Sequence, residues 1–286
     1  MTIVLGTRGS ALALAQARIV TDLLAADVEV HVIRTDGDKS DRPLQELGDG
    51  VFVTALENAL RAYEIDIAVH SLKDLPTEER DDLVVAAVPK RADPQDVFVT
   101  ASRGGLDSLR PGGVVGTSSP RRAAFLRAMR PDTSARDIRG NVETRMRKVQ
   151  EGEYDGTILA LAGLRRLGLA VRDGEILDGI AWPPAPGQAA LAIQCRAGDQ
   201  ALRAHLQTID DRPSHLAVRT ERALLRLLGG SCALPLGAWA RVDAGAIVID
   251  AALALGDRIV RTSAHGSDPD AVADAAAQGL AAATRA

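Results

Sequence analysis

The sequence is poor in aromatic residues and cysteine, and it has no long apolar run. Aromatic residues make up 2% of its 286 residues, which argues against the base-stacking surfaces of single-strand nucleic-acid binders. A net charge of −4 also argues against nucleic-acid binding. Two cysteines exclude a disulfide framework and a thiolate zinc site, and no apolar run approaches the roughly 18 residues that a membrane span requires.

Other absences concern metal binding and targeting. The five histidines show no ligand spacing, so we expect no metal, and His31 is interpreted as a strand residue. The N-terminal segment MTIVLGTRGS lacks the basic start and apolar stretch of a signal peptide. We therefore expect a cytoplasmic protein that binds neither membranes nor nucleic acid.

What the sequence does contain is a repeating α/β pattern. Hydrophobic residues make up 46% of the chain, which is long enough for two or three domains. TIVLGT and the alternating VEVHVI predict strands on either side of a helix, and IDIAVH predicts a third strand after a second helix. The order β-α-β-α-β favours a mostly parallel sheet.

The pattern starts again after the proline-bearing segment PKRADPQ. DVFVT, GVVGT, ARDI and GTILAL predict strands, and two Arg-rich segments between them predict helices. WPPAPGQ is interpreted as a hinge, after which AALAIQC is a strand that could return to the first sheet. A helix, antiparallel strands and an alanine-rich helix complete the chain. The predicted domains are 1–92 with 187–210 (α/β), 93–186 (α/β) and 211–286 (α+β).

Four predicted strand-to-helix turns share small, hydroxyl and cationic residues: GTRGS, HSLKD, GTSSPRR and RGNVETR. Ligands of open α/β sheets bind at the carboxyl ends of strands, where helix N-termini attract anions. Any one of these turns is equally well explained as a helix cap. Neither GxxxxGK[ST] nor GxGxxG is present, so both phosphates and carboxylates remain candidate ligands.

The charge distribution favours a polyanionic small molecule. Nine cationic and three acidic residues lie between Ser118 and Lys148, in a chain whose net charge is negative. A solvated helix face explains Arg127, Arg130 and Arg147, the last of these near the end of the segment. It fits poorly for Arg121 and Arg122, because they directly follow the turn GTSS.

Asp74 follows Lys73 in this basic environment, where a carboxylate would repel an anionic ligand. One interpretation is a local ion pair or a helix cap. The other is an acid/base or electrostatic partner for positive charge that develops during a reaction.

Seven segments, in order along roughly residues 5–240, closely resemble the hydroxymethylbilane synthase (porphobilinogen deaminase) family. They are TRGSALALAQA, DIAVHSLKDLP, GTSSPRRAAFL, DIRGNVETR, LALAGLRRLGL, PAPGQAALAIQCR and ERALLRLLGGSCALPLGAWA. The resemblance implies two α/β domains like those of periplasmic binding proteins, plus a small C-terminal α+β domain. It also implies a transferase of porphyrin biosynthesis.

The resemblance implies that Cys232 carries the cofactor, a dipyrromethane joined to its sulfur by a thioether. The cysteine is then an attachment point and needs no activating histidine, since the electrophile it meets is itself reactive. Gly229 and Gly230 would let the loop reach the cleft. Cys195, within AALAIQC, is better explained as a buried core cysteine.

The resemblance also assigns the remaining site residues, since each pyrrole ring carries an acetate and a propionate. Asp74 is implied to act on pyrrole nitrogens and the departing amine. The implied cofactor-binding residues are Ser71, Lys73, Thr117, Ser118, Ser119, Arg121, Arg122, Gly140 and Arg145. The implied substrate-binding residues are Arg8, Ser10, Gln16, Arg139, Arg166 and Gln188.

The implied reaction joins four porphobilinogen molecules head to tail, with loss of ammonia, onto the primer and then releases hydroxymethylbilane by hydrolysis. Porphobilinogen is the implied partner, the protein is expected to be a monomer, and the product would pass to the next enzyme. One departure concerns a family loop that often carries lysines. The segment PLQELGDG has no lysine, so we do not expect this loop to gate the cleft or pair with carboxylates through lysine. Arg42 is the candidate substitute.

Two other functions remain possible from the residues. A non-enzymatic solute-binding protein on the same two-domain fold explains the hinges and anion-binding turns, but neither Cys232 on its loop nor Asp74 in a basic cleft. A transferase with Cys232 as its nucleophile lacks a base nearby in the sequence.

Overall fold

The structure is a computed structural model that describes residues 2–34, 53–78, 80–101, 104–169, 174–230 and 233–285. The described strands form two five-stranded sheets and one three-stranded sheet. Each sheet is packed with helices. The predicted fold class, two α/β domains followed by a small α+β domain, is confirmed.

The first sheet combines strands from distant parts of the chain. Its strands are β1 (Thr2–Thr7), β2 (Asp27–Val32), β3 (Ile67–Ser71), β4 (Leu83–Ala87) and β10 (Leu191–Arg196), in the order β2-β1-β3-β10-β4. β1, β2 and β3 are parallel, whereas β10 is antiparallel to both of its neighbours. The predicted return of the AALAIQC strand to this sheet is confirmed.

Helices cover both faces of the first sheet, which is why β3 is hydrophobic without alternation. These helices are α1 (Ala11–Leu23), α2 (Thr54–Arg61) and α6 (Gln200–Leu206). Ile67 and Val69 pack in the core that contains residues of α1 and α6. Ala68 lies in the separate cluster that contains residues of α2. The carboxyl ends of β1 and β3 therefore emerge side by side from a rigid support.

The second sheet has the order β7-β6-β8-β5-β9. Its strands are β5 (Asp96–Thr100), β6 (Val114–Gly116), β7 (Ser134–Arg136), β8 (Gly156–Ala160) and β9 (Gly174–Ile176), and its helices are α3 (Pro120–Met129), α4 (Val142–Gln150) and α5 (Leu161–Arg166). β5 is antiparallel to β8 and β9, while β6 is parallel to β7 and β8.

The C-terminal part is an antiparallel meander covered by two helices. Its strands are β11 (Leu236–Asp243), β12 (Ala246–Leu255) and β13 (Arg258–Gly266), and its helices are α7 (Arg212–Leu227) and α8 (Pro269–Arg285). Leu224 of α7 and Leu280 of α8 pack with Ile247 and Ile249 in one core. β12 is also covered on its other face, where Ala252 and Ala254 pack in the core of the second sheet with Trp182, so its alternation of burial shifts by one residue at Ala251 and Ala252.

The sequence patterns missed some short elements. β4, β9, α5 and α6 were not predicted, and the strand expected at ARDI is Ser134–Arg136 instead. The missed strands lie antiparallel to their neighbours, so the β-α-β pattern did not reveal them. The residue bounds of the three domains stay a prediction.

A buried ion pair joins the C-terminal helix α7 to the segments between the first two sheets. Arg91 donates from Nη1 to Glu221 Oε1 at 2.6 Å and from Nη2 to Oε2 at 2.9 Å. Glu221 also accepts hydrogen bonds from the backbone N–H groups of Gly187 and Ala240. Because every acceptor position of this carboxylate has a partner, four separate segments are held at one point.

Candidate functional site

The first two predicted turns meet at the ends of β1 and β3. Ser10 caps α1, because its Oγ accepts a hydrogen bond from a backbone N–H of the first turn at 3.2 Å. Gln16, on the buried face of α1, donates from Nε2 to Ser71 Oγ at 2.8 Å. Burial, together with the nearby charge of Arg8, lowers the pKa of His70 to about 4, so this imidazole is neutral. The structure therefore brings Arg8, Ser10, Gln16 and Ser71 together.

Lys73 and Gln188 connect the first sheet to the second. Lys73 Nζ donates to Gln188 Oε1 at 3.2 Å, and Gln188 Nε2 donates to Asp96 Oδ1 at 2.8 Å. Burial lowers the pKa of Lys73 to about 8, although the carboxylate of Asp74 opposes the shift. The ammonium of Lys73 is therefore cationic at neutral pH and loses its charge in mildly alkaline solution.

Arg121 and Arg122 lie at the start of α3, where both are buried against Asp96. Arg121 Nη2 lies 2.6 Å from Asp96 Oδ2, and Arg122 Nη2 lies 2.7 Å from Oδ1. Burial alone would raise the pKa of Asp96, but the two guanidiniums outweigh it and keep that pKa well below its usual range. The pair thus has a structural partner that the sequence did not indicate, and their ligand-binding role stays a prediction.

The hydroxyl residues that precede these arginines make local hydrogen bonds. Ser119 caps α3 by accepting from the backbone N–H of Arg122, and Thr117 Oγ1 accepts from the N–H of Ser119 at 3.2 Å. Ser118 Oγ donates to the carbonyl of Ile138 at 2.7 Å and so joins this turn to the next one. Helix capping, one of the two interpretations of these turns, is therefore present here and at Ser10.

Two further cations lie near the start of α4, Arg139 in the turn before it and Arg145 within the helix. Arg145 Nε donates to the carbonyl of Gly140 at 2.9 Å, and Arg139 lies 3.4 Å from Asp137. Burial, with the charges of Arg122 and Arg139, lowers the pKa of Arg145 to about 10. Gly140 has a φ of +108°, which favours glycine at this position. Three guanidiniums of the predicted site therefore lie close enough to repel one another.

Arg166, at the end of α5, contacts the segment that also contains Gln188. Its Nη2 donates to the carbonyl of Ala189 at 2.5 Å, and burial lowers its pKa to about 10. Ala189 has a φ of +69°, an unusual conformation for a residue with a side chain. Arg166 thus helps to hold a strained backbone position beside a predicted site residue.

Asp74 ends a short 3₁₀ turn, Leu72–Asp74, and its side chain is exposed. Thr77, three residues later, contacts the loop that follows α7. Its Oγ1 donates to the carbonyl of Gly230 at 3.5 Å. Gly229 and Gly230 have φ values of +106° and +69°. Cys232 lies outside the described residues, as do Arg42 and the segment 43–50. Gly230, two residues before Cys232, is thus placed beside the Asp74 turn.

The structure corrects one assignment to the solvated helix face. Arg130 was predicted to be solvated, yet its side chain is 14% exposed. It donates to the carbonyls of Leu106 and Leu109 and pairs with Asp132 at 2.8 Å. The reason is that Arg130 follows the last helical residue, so it turns toward a neighbouring loop. Arg127, by contrast, is exposed as predicted.

Asp96, Arg91 and Glu221 were not among the residues predicted from the sequence. A signal existed for two of them, because Asp96 begins an apolar strand and Glu221 lies at helical spacing between Val218 and Leu224. A carboxylate at a buried position requires a cationic partner. The pattern did not identify that partner, since Arg91 and Glu221 are 130 residues apart.

The remaining expectations concern cysteine, metal and membrane. Cys195 is fully buried in the first core, as predicted, and burial raises the pKa of its thiol to about 11. Among the described residues, no three histidine, cysteine or acidic side chains form a group that could hold a metal ion. None of the described helices has the length and apolar character needed to cross a bilayer.

Together these observations define a class of protein. Two α/β domains are connected by two segments. Cations and hydrogen-bond donors lie where these segments meet the ends of the strands. This arrangement is typical of two-domain proteins that bind anionic small molecules. A third domain contributes a loop beside this site. The comparisons with known proteins then specify the family.

The chain belongs to the porphobilinogen deaminase family. Residues 3–204 match the family model described as "Porphobilinogen deaminase, dipyromethane cofactor binding domain", and residues 215–286 match "Porphobilinogen deaminase, C-terminal domain". The family predicted from the sequence is therefore confirmed, as is its dipyrromethane cofactor.

Relatives are similar over most of their length. The porphobilinogen deaminase of Thermus thermophilus is 49% identical over 246 residues, which are 84% of this chain and 81% of that protein. The porphobilinogen deaminase of Roseiflexus castenholzii is 43% identical over 289 residues, 98% of this chain and 95% of that protein. Among solved structures, a putative methionine-binding lipoprotein from Bacillus subtilis is 13% identical, with a TM-score of 0.46, over 74% of this chain and 92% of its own.

Proposed function

We propose that this chain is a transferase that condenses four porphobilinogen molecules, with release of ammonia, onto a dipyrromethane attached to Cys232. Hydrolysis then releases the linear tetrapyrrole hydroxymethylbilane. Membership of the family supports this activity. The observation that carries it furthest is the position of Asp74: an exposed carboxylate beside Lys73, at the point where Gln188 and Asp96 connect the two α/β domains.

The cationic residues fit a group with two carboxylates on each pyrrole ring. Arg122 and Arg139 lie close enough to Arg145 to lower its pKa. Carboxylates placed among the three guanidiniums would relieve this repulsion. Within the described part of the chain, the buried Nε of Arg121 has no hydrogen-bond acceptor. Arginine forks and the ammonium of Lys73 are donors that suit carboxylates. The dipyrromethane, when bound, would supply the pyrrole α-carbon that attacks the first substrate, and the terminal ring of the growing chain would supply it for each later one.

Asp74 is assigned the chemistry at the substrate. Its carboxylate would accept hydrogen bonds from pyrrole N–H groups and stabilise the positive charge left when ammonia departs. The alkylamine is already an ammonium at neutral pH, so the carboxylate would stabilise it as it departs and would take a proton from the pyrrole after the new bond forms. Lys73, on the same turn, would hold a substrate carboxylate and thereby orient the ring toward Asp74.

The other hydroxyl and amide groups are assigned to binding. Ser71 and Gln16 hydrogen bond to each other across the first two turns, so a ligand oxygen placed between them could accept hydrogen bonds from both. Arg8 and Ser10 lie at the same strand ends and would bind the incoming substrate with Arg166 on the opposite domain. We further propose that the protein is a cytoplasmic monomer that passes its product to the next enzyme, which light scattering and cell fractionation would test.

Intact mass spectrometry tests the cofactor attachment. The freshly purified protein should exceed its sequence mass by two porphobilinogen-derived units and should colour with an acidic aldehyde reagent for pyrroles. Cys232→Ala should lose both signals. Cys195→Ala is the matched control and should keep them, because Cys195 is buried in the core of the first sheet. An unmodified mass in active wild-type protein would contradict the proposal.

A further inference from the structure

Arg222 of α7 contacts the backbone of the turn that carries Lys73 and Asp74. Its Nη1 donates to the carbonyl of Leu75 at 2.8 Å and, at a longer 3.5 Å, to that of Leu72. Its Nη2 donates to the carbonyl of Pro76 at 2.6 Å. These carbonyls flank Asp74 on both sides, so the guanidinium holds the two ends of the turn.

On that side Leu72 and Leu75 are buried and pack in one cluster with Val218 of α7. A cavity of about 750 Å³ lies behind the turn, where it is lined by Leu72, Leu75 and Pro76 and by Val218 and Ala223 of α7. Apolar packing is non-directional, whereas the hydrogen bonds from Arg222 fix the orientation of the carbonyls that they reach. The carbonyls of Leu75 and Pro76 follow the 3₁₀ turn directly, and both accept charge-assisted hydrogen bonds from Arg222. The carbonyl of Leu72 also accepts a hydrogen bond from the backbone N–H of Leu75 at 3.1 Å.

We propose that Arg222 is a positioning residue for the reaction, which holds Asp74 at the orientation that catalysis requires. This rests on the proposed function of Asp74. Arg222 does not touch the substrate; it acts through the backbone of the Leu72–Asp74 turn. The same helix, α7, therefore contacts the turn that carries Asp74 and leads along the chain to the loop of Cys232.

The test compares Arg222→Ala with a variant of the same helix. Arg222→Ala should lower kcat about 100-fold, the loss typical of a small misplacement of reacting groups, with little change in KM. Its intact mass should still include the cofactor. Arg219→Ala is the matched control: Arg219 is exposed and pairs with Asp270 at 2.6 Å, so kcat should not change.

Two further measurements separate positioning from a general loss of stability. Methylguanidine should restore part of the kcat of Arg222→Ala, because the adjacent cavity has space to admit it. Arg222→Lys should recover less, since an ammonium cannot span two carbonyls as a guanidinium does. If Arg222→Ala does not fold, kcat and KM of Arg222→Lys are compared with those of the wild type instead.

A double-mutant cycle decides whether Arg222 acts through Asp74. The loss caused by Arg222→Ala should largely disappear in an Asp74→Asn background. An equal loss in both backgrounds, or a wild-type kcat in Arg222→Ala, overturns the positioning role and leaves the proposed function intact. A near-normal kcat in well-folded Asp74→Asn overturns the catalytic role of Asp74, and the positioning role falls with it.

Discussion

Asp96→Asn should destabilise the protein strongly, because it removes the only carboxylate described between two buried guanidiniums. Asp96 is fully buried and accepts from Arg121, Arg122, Gln188 and the indole Nε1 of Trp182 at 3.0 Å. Asparagine has a similar shape, but it offers one acceptor oxygen and turns an NH₂ group toward a guanidinium. Breaking a buried ion pair by neutralising one partner costs about 3–5 kcal/mol.

The assay is thermal unfolding as a function of pH. That loss of free energy corresponds to a decrease in Tm on the order of 10 °C at neutral pH. The pKa of Asp96 is lower in the folded protein than the unfolded value of about 3.9, so its contribution is complete above about pH 4. As the pH falls below that value the contribution is lost, and the Tm values of wild type and variant should converge.

Asp257→Asn is the control for this prediction. Asp257 pairs with Arg127 at 3.0 Å, but its side chain is 85% exposed. The same chemical change should therefore alter the Tm little, since exposed ion pairs contribute little to stability. The reasoning is wrong if Asp96→Asn unfolds at the wild-type temperature, or if the difference between the two proteins does not depend on pH.

Three further predictions concern the site and its surroundings. Asp74→Asn should fold normally, since its side chain is exposed, and lose about 10²–10⁴ in single-turnover ammonia release; retained release would exclude Asp74 from the chemistry. KM for substrate should rise as the pH increases through about 8, because Lys73 loses its charge there; a Lys73→Met variant should lack this dependence. Arg130→Glu should lower the Tm more than Arg127→Glu, because only Arg130 hydrogen bonds to two loop carbonyls. Equal Tm values would instead support a solvated position for Arg130.

Local signals in the sequence were sufficient to predict most of the larger elements. Ser10, Ser119 and Asn141 each cap the helix that follows them, at positions where the sequence places a short polar residue before an amphipathic segment. Capping and periodicity depend on residues three or four apart, and the chain order alone contains that information. The short antiparallel strands β4 and β9 escaped because nothing in their own residues specifies a distant partner.

The sequence by itself determined the family and the candidate site residues, because both are read from residue types at local spacing. Only the tertiary structure decided which charges are partners. Arg121 and Asp96 are 25 residues apart, and Arg91 and Glu221 are 130 apart, so no local spacing relates them. Likewise, Arg222 lies about 146 residues beyond the turn that it contacts. The physical reason is that a buried charge requires an opposite charge or a hydrogen-bond partner in space, and folding alone determines which residues lie within about 3 Å.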